Sequence, residues 1–96
     1  MNIPVLELNG KKIKAAPVKA KMWRKFMEFD EQKNDLKIED YIDKHCELIA
    51  EVFPDVTADD ILDNVELDEI AVLYRAVFKY LTELINSKLT KVSKNA

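Results

Sequence analysis

The sequence predicts a mainly α fold of α+β type: an N-terminal β-hairpin followed by four helices, the last one longest. Three observations carry this. An Asn9-Gly10 pair separates two short segments of alternating character. Four apolar stripes at helical spacing follow it. The composition, 48% hydrophobic and 34% charged with one Gly and three Pro, belongs to a helical globular chain and not to a disordered or β-rich one. With 96 residues the chain supports one core, so residues 1–96 read as a single domain.

The hairpin occupies residues 3–16. Asn and Gly both accept the positive φ that a two-residue type I′ turn requires, and such a turn fixes the register. Leu8 then faces Lys11, Glu7 faces Lys12, Leu6 faces Ile13 and Val5 faces Lys14. Leu6 and Ile13 share one face, while Glu7 and Lys12 pair on the other. An isolated hairpin is marginal, so its apolar face must lie on something else.

Residues 17–91 supply that partner as helices near 17–31, 38–53, 58–64 and 67–90. Pro17 suits a first helical turn, where its missing N–H costs nothing. Val18, Met22, Phe26 and Phe29 form one stripe, which Trp23 and Met27 widen, so Trp23 is expected in the core. The polar run Glu31–Asp35 reads as a loop. Ile38, Tyr41, Ile42, Cys46, Ile49 and Val52 make the second stripe, and Phe53-Pro54 ends it, because a residue before proline avoids the helical region. Thr57 is a good N-cap for a short third helix, with Asp59 and Asp60 favoured at its positive end and Ile61, Leu62 and Val65 packing.

The last helix carries Leu67, Ile70, Tyr74, Val77, Leu81 and Leu84 as a seam. Leu73, Phe78, Ile85 and Leu89 extend the apolar surface to a second side, with Tyr80 between the two. The short helices are expected to leave part of this second side open at Leu73, Tyr80 and Leu84. Residues 92–96 are expected to fray.

Charge is segregated along the chain. Residues 1–25 hold seven basic side chains against Glu7 alone, residues 28–69 hold sixteen acids against three lysines, and residues 71–96 are basic again. This order favours attraction between segments, within one chain or between copies. Lys19, Lys21 and Lys25, together with Leu73, Tyr80 and Leu84, are the expected protein-interaction residues, and a weak homo-oligomer is expected.

Catalytic chemistry finds little to work with. The chain has one His, one Cys and one Gly, hence no glycine-rich phosphate loop and no zinc ligand set around adjacent His45 and Cys46. Cys46 lies on an apolar stripe, where a buried thiol is the ordinary outcome. A lone cysteine also points to a reducing compartment. Asp55, Asp59, Asp60 and Asp63 lack the glycine and closing glutamate of a calcium loop. No enzyme activity, metal or cofactor is expected. Lys19, Lys21 and Lys25 around Trp23 suit a nucleic-acid contact, but the acidic middle and a pI near 5.2 oppose it. No apolar run is long enough for a membrane span. Neither nucleic acid nor membrane is an expected partner.

The layout also resembles a known family. A Leu6-Glu7-Leu8-Asn9-Gly10-Lys11 hairpin leads to Ala16-Pro17 and the basic helix Lys19–Asp30. A helix closing on Val52-Phe53-Pro54 follows, then the stretch Thr57–Val65 and a long final helix. This order resembles the small tail assembly chaperones of long-tailed bacteriophages and of Gram-positive prophages. The resemblance implies a non-enzymatic protein of the bacterial host cytoplasm. Such a protein binds the tape measure protein, keeps it soluble and helps recruit tail tube subunits during tail morphogenesis. The family often has a longer, frameshifted form, and it offers no fixed binding motif to transfer residue by residue. Two other readings stay open: a phage structural subunit of the head–tail connector type, and a small DNA-binding regulator.

Overall fold

The computed structural model describes the backbone of residues 3–95 and the side chains of residues 3–87; the packing expected of Leu89, and Ala96 of the tail expected to fray at 92–96, lie outside the described residues, while the last helix runs to Asn95. The elements are β1 (Val5–Leu8), β2 (Lys11–Lys14), α1 (Ala20–Gln32), a 3-10 turn (Lys33–Asp35), α2 (Ile38–Val52), α3 (Ala58–Asn64) and α4 (Leu67–Asn95). A two-stranded antiparallel hairpin therefore precedes four helices, and the last is the longest, as expected.

The hairpin register is the one that the turn dictates: Val5 pairs with Lys14, Leu6 with Ile13, Glu7 with Lys12 and Leu8 with Lys11. Asn9 and Gly10 hold φ of 51° and 81°, the left-handed values of a type I′ turn. Leu6 and Leu8 are buried while Glu7 stays in solvent, so the pleat sets one face on the core.

The chain then departs from expectation. Helix α1 begins at Ala20 and not at Pro17. Pro17 holds Ala16 extended, and the Ala16 amide donates to the Val52 carbonyl at the end of α2, at 2.9 Å. Residues 15–19 thus act as a strap across α2, and the helix starts only after it. The run Glu31–Asp35 is not a loop either. Helix α1 continues to Gln32 and tightens into the 3-10 turn, with Lys33 reaching Asp30 at 3.0 Å. Glu, Gln and Lys are good helix formers, so polarity alone does not end a helix.

Helix α2 buries Cys46, Leu48, Ile49 and Val52, and leaves its axis at an extended Phe53 before Pro54. Ile38 was expected on its apolar face but is 91% exposed. The first turn of α2 runs past the elements on which the rest of the helix packs. Leu67 is likewise 73% exposed at the first turn of α4, and Leu62 points outward from α3. Helix α3 carries a complete capping box. The Thr57 hydroxyl accepts from the Asp60 amide at 3.1 Å, and the Asp60 carboxylate accepts from the Thr57 amide at 2.9 Å.

One contiguous core joins all these elements. Phe26 from α1, Cys46, Ile49 and Val52 from α2, Ile61 from α3 and Val77 from α4 are fully buried at its centre.

Candidate protein-interaction surface

Helix α4 is apolar on more than one side, and its neighbours cover those sides unequally. Ile70, Val77 and Leu81 face the core and are buried. Tyr80, expected on an open strip, is only 4% exposed. The strap explains this: the Tyr80 hydroxyl approaches the Ala16 carbonyl at 3.4 Å, so residues 15–19 cover that side of α4. Leu73 and Leu84 are half-buried. They do not form one strip with Tyr80. Leu84 lines a small cleft with Val18, Lys19 and Trp23, and Leu73 lines a separate groove beside β1.

The expected cations also scatter. Lys19 and Lys21 are exposed. Lys25 is half-buried and forms an ion pair with Glu51 of α2, so its ammonium already has a partner within the chain. Of the six residues, only Lys19 and Leu84 come together, at the cleft beside Trp23.

A more distinct surface lies between α1 and α4. Large rings separate these helices: Trp23 meets Phe78 at 5.8 Å between centroids, and Phe26 meets Tyr74 at 5.4 Å and Phe78 at 6.3 Å. Beside them opens a groove of about 410 Å³ lined by Asp30, Tyr74, Arg75, Phe78, Lys79 and Thr82. Its floor is aromatic and its rim is charged. Asp30 is already paired with Lys33. Among the described residues, neither Arg75 nor Lys79 pairs with a carboxylate. The rim is therefore basic in effect, and the groove suits an apolar helix edge carrying acids.

Sequence reasoning placed Tyr74 and Phe78 on the apolar sides of α4 but missed the groove. Its signal was available in the i, i+4 spacing of Tyr74–Phe78 and Arg75–Lys79, which sets an aromatic row beside a basic one.

Next to the groove floor, His45 is buried in an aromatic cage. Its ring lies 4.4 Å from Tyr74 and 4.8 Å from Phe29, both edge-on. Its Nδ1–H donates to the Tyr41 carbonyl at 2.7 Å, which places the proton on Nδ1. Burial pushes the neighbouring Cys46 thiol up to about 11, with Asp43 and Glu47 adding to the effect. A thiol held protonated is a poor nucleophile. Burial also pushes the Tyr74 hydroxyl up to about 12, helped by Asp30 and Tyr41. Among the described residues, no three His, Cys, Asp or Glu side chains are grouped to hold a metal ion. Nor, among them, is any helix long and apolar enough to cross a membrane.

The family model described as phage tail chaperone protein matches residues 3–96. The chain belongs to this family. The match spans the hairpin and all four helices. No curated protein and no solved structure matches the chain.

Proposed function

We propose that the protein is a non-enzymatic tail assembly chaperone of the host cytoplasm that binds the tape measure protein and helps gather tail tube subunits around it. Membership of the phage tail chaperone family across residues 3–96 is the observation that supports this reading. The groove between α1 and α4 supplies a mechanism. A long helical client exposes apolar edges that aggregate when uncovered. An edge bearing acidic residues seats on Tyr74 and Phe78, and Arg75 and Lys79 fix its register. Copies that also associate weakly with one another would cover the client along its length.

Co-expression with a tape measure fragment tests the reading. The fragment is expected to stay soluble and to co-purify, and Phe78→Glu or Arg75→Glu/Lys79→Glu to release it. A fragment that never co-purifies with the intact protein, at low salt and high concentration, overturns the proposal.

A further inference from the structure

The second groove on α4 has the opposite electrostatics. It measures about 430 Å³ and lies between β1 and the start of α4. Val5, Val72 and Leu73 form apolar wall, while Glu7, Glu66 and Glu69 form rim. Val5 and Val72 are exposed although both are β-branched aliphatics. Among the described residues, none of the three glutamates is in a salt bridge. From Asp55 to Tyr74 the sequence holds seven acids and no base, so the α4 side of the rim has no cation near it in sequence, and the hairpin side has Lys12 opposite Glu7.

The chain itself contains a segment with the complementary chemistry. After Glu83 there is no further acid, and Lys88, Lys91 and Lys94 alternate with Leu89 and Val92. Two aliphatic anchors three residues apart among three cations match an apolar groove rimmed by three carboxylates. We propose that the acid-rimmed groove of one copy receives the Lys88–Lys94 segment of a second copy. A second copy is the natural donor. Residues 72 to 87 of α4 lead away from the groove by about 22 Å of helix, so the chain's own segment would have to double back along its own axis. The contact joins two different surfaces, so it passes from copy to copy, and forms a ring where the rotation closes and an open filament where it does not. The inference deepens the self-association contained in the role proposed above.

Charge reversal on the full chain tests it. Glu66→Lys/Glu69→Lys alters the groove and Lys88→Glu/Lys91→Glu alters the segment. Glu66 and Glu69 are exposed, so helix content by circular dichroism is expected to hold in the groove variant. In sedimentation at low salt the parent is expected to grow in size with concentration. Each variant alone should associate roughly tenfold more weakly or worse, because like charges then meet. The two variants mixed, or all four substitutions in one chain, should restore association. A parent that stays monomeric overturns the proposal, as do single-site variants that associate like the parent or a combined variant that stays dissociated. Capture of the tape measure fragment, scored on the same variants, reports separately on the client groove. Loss of self-association with capture intact therefore leaves the chaperone reading standing.

Discussion

The centre of the protein and the seam between α1 and α4 are both apolar, yet they are built differently. At the centre, Ile49 and Val52 of α2, Ile61 of α3 and Val77 of α4 interlock with no exposure at all. At the seam, Trp23, Tyr74 and Phe78 keep two helices apart with rings, and each of these side chains is only half-buried. Small branched side chains let backbones close in and exclude solvent. Rings span a wider gap and leave a groove beside it. The difference divides the labour: the centre provides stability, and the seam provides a surface.

The comparison breaks most readily at Ile49. Ile49→Ala deletes buried methyl groups where no neighbour can collapse, so it should cost about 2–5 kcal/mol. That is a large share of the roughly 5–15 kcal/mol typical of a domain. Urea denaturation measures it. A loss below about 1 kcal/mol would mean that the centre is as loose as the seam.

Trp23→Ala comes second. The sequence suggested a core tryptophan, for which the cost would be roughly 3–5 kcal/mol. Its half-burial against Phe78 reduces the expectation to about half of that. The same variant opens the cleft beside Leu84 and the wall of the seam, so client capture should fall further than stability does. Equal losses in the two measurements would place Trp23 with the centre.

These cases show where the fold was legible. The hairpin register and the span and cap of α3 were readable to the residue because local chemistry decides them: Asn9-Gly10 sets the register, and Thr57 with Asp60 closes its own cap. The start of α1 was not readable, since Pro17 permits a helix there and only the distant Val52 carbonyl takes the Ala16 amide away. Tyr80 was misplaced for the same reason, as the strap that covers it comes from 64 residues earlier. The groove between α1 and α4 was half legible. Its residues stood on the apolar and basic positions of α4, but a groove needs the gap between two helices, and that gap depends on rings from both.

Alkaline titration sharpens the comparison with a smaller effect. Cys46 belongs to the centre and Tyr74 to the seam, and burial raises both, from 9.0 to about 11 and from 10.0 to about 12. In each case the folded state holds the proton more tightly than the unfolded chain. Stability from these groups is therefore complete below about pH 9 and falls as pH rises toward 11 and then 12. The urea midpoint should decline over that range, and Cys46→Ala should remove the earlier part of the decline. A thiol-specific disulfide reagent should leave Cys46 of the native protein unlabelled at pH 8, where the buried thiol stays protonated. Rapid labelling without unfolding would show that the centre opens.

The smallest effect concerns Lys25 and Glu51, the ion pair that links α1 to α2 across the surface. Both side chains remain substantially exposed, 40% and 41%, so water and salt screen the attraction. Fixing two long side chains also costs entropy. A double-mutant cycle with Lys25→Ala and Glu51→Ala should give a coupling of only about 0.2–1 kcal/mol, fading as salt is added. If aromatic packing holds α1 in place, breaking the pair leaves the seam closed and client capture unchanged. A coupling well above about 1.5 kcal/mol that persists in high salt would reverse this assignment, since α1 would then be docked by charge and the rings would merely fill the space it leaves.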